Sequence, residues 1–200
     1  SHSLAKTFLS ILSQINKECY LESVKVAFAL LKNAQRFPSE SEFIEKIQTR
    51  DMYNFRMAKY WLTKLENHGR KEKISIDSYS IEHIMPQNLN PSKIKQDPSP
   101  NYWIDLLGNG DKNKAESVQK DYLHKLGNLT LTKYNSKMSN CSFPYKKEIK
   151  ENGVRVGLAL FKEDGGLNSD VYNQEDWTPM QIENRTNRLI KEIIEEIFNW

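Results

Sequence analysis

The sequence predicts an α+β protein, mainly α-helical, with a strand–strand–helix motif embedded in a helical domain. Three observations predict it. Apolar residues recur at helical spacing through the first seventy residues and again after residue 178. Two short runs, 74–81 and 128–132, are rich in β-branched residues and partly alternate. A lysine-rich segment carrying helix-starting residue types follows the second run.

The elements follow in order. Leu4, Phe8, Ile11, Leu12 and Ile15 recur at helical spacing, and Val24, Val26, Phe28, Leu30 and Leu31 do so less cleanly. Pro38, Ser39 and Ser41 punctuate, with Ser41 placed to cap a short helix through Ile47. Residues 52–66 read as a further helix, with Phe55, Ala58, Tyr60, Trp61, Leu62 and Leu65, closed at Asn67-His68-Gly69. Phe55, Tyr60, Trp61 and Trp103 read as core residues, and His68 as a helix terminus. The character then changes to extended chain over Ile74–Ile81. Residues 88–101, with three prolines, are a loop, and 102–107 form a short helix ending near Gly108. Residues 109–116 are polar and exposed, a helix spans about 115–125, and Asn128–Thr132 is the second strand.

After Asn135, a basic helix including Tyr145 to Lys150 ends by Asn152-Gly153. Thr178-Pro179-Met180-Gln181 combines an N-cap, a first-turn proline and a capping-box glutamine. The helix they open carries a broad apolar stripe from Ile182 to Phe198 and reads as a docking helix without chemistry of its own. The chain thus divides into an N-terminal helical region (1–72), a core with an insertion at 88–125 (73–152), and a C-terminal loop and docking helix (153–200).

Two hundred residues suffice to bury a core. With 38% hydrophobic and 28% charged residues the chain is polar, and no apolar run approaches the roughly 20 residues a membrane span needs. Two distant cysteines, Cys19 and Cys141, exclude a four-cysteine zinc frame and make a reducing cytoplasm the default. A start at Ser-His-Ser is expected of an excised piece of a longer protein, with His2 part of a tag. The net charge of +3 is modest, but its distribution is uneven. Residues 123–150 hold six lysines (125, 133, 137, 146, 147 and 150) against Glu148 alone, whereas 163–200 hold nine acids against three bases. The basic segment could hold a phosphate backbone or be an ordinary solvated face.

The chemistry-bearing run is Ile81-Glu82-His83-Ile84-Met85-Pro86-Gln87. Phosphodiester cleavage needs a water, a group to take its proton, and a cation to stabilise the developing charge. A neutral histidine suits the base role, and a carboxylate is a hard oxygen ligand. Successive strand residues point to opposite faces, so Glu82 and His83 can share one site only if the strand ends or bends there. Pro86 favours that break. Strand, strand and helix in this order are the frame of a ββα-metal nuclease.

That run, followed by Leu126-Gly127-Asn128-Leu129-Thr130-Leu131-Thr132 and by residues 135–143 (Asn-Ser-Lys-Met-Ser-Asn-Cys-Ser-Phe), resembles the C-terminal HNH nuclease domain of GmrSD-type restriction enzymes. SspE-like phage-defence proteins, linked to phosphorothioation, carry a similar domain. The resemblance runs from about Ile74 to Lys150 and extends to the Trp177–Trp200 segment, with the N-terminal helices less distinct. It implies that His83 activates water, Glu82 ligates metal, Asn128 orients the base, and Asn135 completes the metal site. An asparagine at 135, where many HNH enzymes have histidine, implies Mg²⁺ or Mn²⁺ over Zn²⁺. Asn140 and Lys147 match less decisive positions, as a cap and a phosphate contact. Positions 83 and 128 lie 45 apart, more than in compact HNH domains, hence the insertion.

Lys133, Lys137 and Lys146 join Lys147 as candidate contacts to DNA, and Lys146 and Lys147 also fit a merely solvated face. His124 reads either as a phosphate or leaving-group contact or as a helix-end interaction. The resemblance implies DNA cleavage or nicking by the effector domain of an anti-phage restriction system. It also implies a nucleotide-hydrolysing sensor of modified DNA as an N-terminal domain or subunit; this chain has no phosphate-binding glycine loop, so nucleotide hydrolysis is expected outside it. The alternatives are a non-catalytic DNA-binding or interaction module that retains the HNH fold, and an RNA-cleaving or toxin-type HNH enzyme.

Overall fold

The computed structural model describes residues 2–32, 36, 38–68, 70–75, 77–163 and 165–198, and the side chains of these except 2–4 and 196–198. Gly69, Ile76 and Trp200, and the side chains of His2, Leu4, Ile197 and Phe198, lie outside the described residues. The protein is α+β and mainly helical, with two small two-stranded sheets among the described residues. No helix among them is long and apolar enough to cross a membrane. The chain divides into two compact units, Ser1–Glu45 and Lys46–Trp200.

The first unit contains α1 (His2–Leu12), α2 (Tyr20–Ala29) and the start of α3 (Glu40–Thr49). Phe8 and Phe28 meet edge to face, with ring centres 6.4 Å apart. Ile11 and Ala27 are buried, but Leu12, Val26 and Leu30 of the apolar pattern are exposed. Two short helices offer each other too little surface to cover every apolar side chain. The cap of α3 is Ser39 rather than Ser41. Ser39 Oγ accepts from Glu42 N at 3.2 Å, and Ser39 N donates to the Glu42 carboxylate at 2.8 Å, a reciprocal capping box.

In the second unit, residues 52–56 do not join the helix expected over 52–66; α4 is Ala58–Asn67, with His68 at its C-cap as expected. Asp51 prevents the earlier start, because its carboxylate accepts from both Asn54 N and Asn54 Nδ2, folding a turn that competes with helix. Trp103 is buried as expected, whereas Tyr60 is exposed.

The first strand is also shorter than expected. Strand β1 is Ser80–His83, because both backbone groups of Ile74 are taken by the Asn67 side chain, at 2.7 and 3.1 Å, and not by a strand partner. It pairs antiparallel with β2 (Leu129–Thr132), Glu82 opposite Thr130 and His83 opposite Leu129. Between the strands lie α5 (Tyr102–Gly108) and α6 (Lys112–Tyr122). Helix α6 starts earlier than expected because Asp111 caps it, accepting from Asn113 N and Lys114 N.

Beyond β2 come α7 (Asn135–Met138) and α8 (Phe143–Glu148), the latter capped by Ser142. The basic helix stops at Glu148. Lys150–Glu151 (β3) and Val154–Arg155 (β4) then form a hairpin whose turn residues Asn152 and Gly153 both have positive φ, the Asn-Gly type I′ turn. A single turn, α9 (Ser169–Tyr172), precedes α10 (Pro179–Phe198). Helix α10 begins where Thr178 and Gln181 predict, with Thr178 N donating to Gln181 Oε1 at 3.1 Å.

The core of this unit gathers Ile84, Met85, Trp103, Met138, Phe143, Trp177 and Ile182. Ile84 and Met85 enter it directly after the strand, which fixes the chain where β1 ends.

Candidate active site

Strand β1 ends at His83, and the chain bends at Ile84 and Met85, immediately before Pro86. The bend answers the strand-geometry problem: Glu82 and His83 both line one open cleft of about 280 Å³. Tyr53, Gln87, Asn135 and Asn140 also line it.

Asn128 holds the bend. It is fully buried, and its backbone carbonyl accepts from Ile84 N at 2.9 Å. Its Oδ1 accepts from Met85 N at 2.8 Å and Trp177 Nε1 at 3.1 Å. Its Nδ2 donates to the carbonyls of Met85 and Leu123. Every polar atom of this amide is occupied by protein, so Asn128 shapes the turn beside His83 and has no free group for a ligand.

Glu82 and Lys146 form a buried ion pair. Lys146 is shielded from solvent, and its ammonium donates to Glu82 Oε1 at 2.9 Å, to His83 O at 2.9 Å and to Ile84 O at 3.1 Å. Three donors are thereby matched to three acceptors. Lys146, expected to face phosphate, points inward because α8 places it one turn from Phe143, on the buried face. Burial pushes the Glu82 carboxyl above its usual range, against the opposing pull of Lys146. Oε2 of Glu82 has no hydrogen-bond partner among the described residues.

His83 is buried beneath the cleft, and its Nε2 lies 3.1 Å from His124 Nδ1. The Tyr53 ring packs 4.4 Å from His83, centre to centre, and stacks on His124 at 5.3 Å and 14°. Burial holds the His83 imidazole far below its usual range, to about 3, reinforced by His124 and Lys146 and opposed by Asp51. The ring is therefore neutral at physiological pH. His124 is tied to the Asp51 turn through its carbonyl, which accepts from Met52 N at 2.9 Å.

Asn135 opens α7 and lines the same cleft. Its Nδ2 donates to Ser80 Oγ at 2.9 Å, anchoring it to β1. Its Oδ1 is shielded from solvent and has no hydrogen-bond partner among the described residues. A buried carbonyl oxygen without a donor is costly unless something else fills its lone pairs. Glu82 and Asn135, which both line the cleft, carry hard oxygen atoms, the donor type of a cation that completes its shell with water and substrate oxygens. Among the described residues, no group of three or more His, Cys, Asp or Glu side chains gathers to hold a metal.

The remaining expected contacts are spread around this centre. Asn140 lines the cleft and donates to Asn90 O at 2.6 Å, fastening the 88–91 loop. Lys133 is exposed, its ammonium 4.6 Å above the Tyr79 ring. Lys137 is exposed and paired with Glu151. Lys147 is half-buried, donating to Gln174 O. Tyr53 lies in a turn within the stretch whose apolar spacing predicts helix; the Asp51–Asn54 spacing is the local signal for that turn.

No curated protein and no solved structure matches the chain. The family model described as GmrSD restriction endonucleases, C-terminal domain, matches residues 37–192, a span that takes in every residue of the cleft, and the chain belongs to that family.

Proposed function

We propose that this chain is a metal-dependent DNA endonuclease or nickase of the HNH type, the effector domain of an anti-phage restriction system. Residues 73–152 would supply its ββα-metal core, with 88–125 as an insertion. One observation carries the reading: Glu82, His83 and Asn135 line one cleft, and Asn135 Oδ1 is a shielded acceptor without a partner among the described residues. Membership of a restriction-endonuclease family makes DNA the substrate to test first.

Glu82 and Asn135 would hold the cation, and their oxygen donors favour Mg²⁺ or Mn²⁺ over Zn²⁺. A bound divalent ion supplies charge stabilisation for the phosphate and the leaving oxygen. His83, neutral and walled by Tyr53, takes a proton from the attacking water. Lys146 fixes the orientation of Glu82 and clamps the carbonyls of the bend, while Asn128 holds the other side of that bend. Lys133 and Lys137, exposed on either side of Asn135 in the chain, would meet the DNA backbone, and Asn140, which lines the cleft, would offer it an amide. Nucleotide hydrolysis and recognition of modified DNA belong to an N-terminal sensor domain or subunit.

A non-catalytic DNA-binding module is the second reading, favoured by the Lys146 ammonium that already occupies one oxygen of Glu82. Incubation of supercoiled plasmid and of RNA with Mg²⁺, Mn²⁺, Zn²⁺ or chelator separates the readings. The expected result is relaxation or linearisation of the plasmid with Mg²⁺ or Mn²⁺ and none with chelator. DNA binding without cleavage in every metal would establish the binding module instead, and preferential RNA cleavage would move the substrate class.

A further inference from the structure

We propose that His124 is a positioning residue: it holds His83 as the Nε2–H tautomer, so that His83 Nδ1 is the atom that takes the proton from water, with Tyr53 clamping the two rings. The inference rests on the reading of His83 as the base and deepens it.

The argument starts from the two ring nitrogens. A neutral imidazole carries one proton, and the hydrogen bond made by one nitrogen sets what the other can do. At 3.1 Å, His83 Nε2 and His124 Nδ1 must share a single proton. If His124 Nδ1 donates, the proton of His83 sits on Nδ1, and His83 has no lone pair left for water. If His83 Nε2 donates, His124 accepts through Nδ1 and keeps its own proton on Nε2. His83 Nδ1 is then a bare lone pair. Only the second arrangement permits a base.

The surroundings support that assignment. His83 lines the cleft, whereas His124 is not among its lining residues, so Nε2 is the nitrogen committed to the protein. Nδ1 makes no hydrogen bond among the described residues. The Tyr53 ring packs on both imidazoles and limits their rotation. Met52 N holds the His124 carbonyl, so the turn that delivers Tyr53 also sets the backbone of His124. In the reaction the water O–H bond breaks as its oxygen bonds to phosphorus, and the proton moves to His83 Nδ1. The leaving oxygen departs with the bonding electrons and takes a proton from solvent. The imidazolium that forms still donates from Nε2 to His124, which stabilises it.

The test uses the full chain with ¹⁵N-labelled histidine and long-range ¹H–¹⁵N correlation spectra, beside steady-state cleavage of plasmid DNA in Mn²⁺. Wild-type His83 is expected to show a protonated Nε2 and a bare Nδ1. His124→Leu is expected to mix the tautomers and lower kcat by about 10- to 100-fold, with KM unchanged. His124→Asn, which keeps an acceptor near the position of Nδ1, is expected to restore most of both. A wild-type spectrum with the proton on Nδ1 overturns the proposal, as does a His124→Leu protein with unaltered tautomer and kcat. The wild-type spectrum decides the tautomer even where His124→Leu fails to fold. His83→Ala tests the base assignment separately: retained cleavage there refutes the base without touching the tautomer.

Discussion

Lys146 is enclosed, and its ammonium donates to the Glu82 carboxylate and to the carbonyls of His83 and Ile84. Removing one member of such a pair leaves the other charged and buried. Lys146→Met is therefore expected to lower stability by about 3–5 kcal/mol in urea unfolding. Adding Glu82→Leu should recover part of that loss, since neither charge then remains. A Lys146→Met protein as stable as wild type would mean that the pair is not formed. His83 gives a second prediction at this scale. Its folded-state pKa is about 3 against about 6.5 when unfolded, so between those values the unfolded chain holds a proton that the native state lacks. The associated stability is complete above about pH 6.5 and is lost as pH falls toward 3. Glu82, shifted upward, acts in the opposite sense, so the comparison that isolates His83 is with a variant. Wild type is expected to lose stability more steeply than His83→Ala from about pH 6.5 to pH 4.5. Parallel curves would refute the buried neutral histidine.

Gly127 shows how an element can demand a residue. A side chain there would overlap the Ile182 carbonyl oxygen of α10 and lie 2.9 Å from Thr186 N, while Gly127 N donates to Thr186 Oγ1 at 3.0 Å. Helix α10 also sends Arg185 inward, donating to the carbonyls of Gly127 and Leu129 at 2.7 Å each. The helix read as a docking element without chemistry thus braces the turn that carries Asn128. Gly127→Ala is expected to cost about 1–3 kcal/mol and to lower cleavage by disturbing Asn128; an unchanged melting curve would contradict the packing. The start of α10 was legible because Thr178, Pro179 and Gln181 act locally. The late start of β1 was not, since the cause is a side chain, Asn67, that meets Ile74 only in the folded chain. The β3–β4 hairpin lies between these cases: Asn152-Gly153 suits a type I′ turn, and after a basic helical run it suits a helix end equally well.

Across the whole molecule, the residues of the candidate site are legible in the sequence and the contacts between them are not. Glu82, His83 and Asn135 were named from motif chemistry, and all three line one cleft. The His83–His124 bond, the Tyr53 wall and the Lys146 clamp each join segments distant in sequence, and no spacing rule reports such pairs. The charge count misled for the same reason. Of the lysines around the second motif, Lys146 is sealed in, Lys147 donates to Gln174 O, Lys125 to Gln48 O, and Lys137 pairs with Glu151. Attraction to a phosphate backbone should accordingly be weaker than six lysines suggest. The most direct test of the central claim is single-turnover cleavage of supercoiled DNA in Mn²⁺ by wild type and His83→Ala, with DNA binding measured in parallel. Equal binding with cleavage lowered at least about 100-fold is the expected result for loss of a general base. Equal cleavage by the two proteins would contradict it.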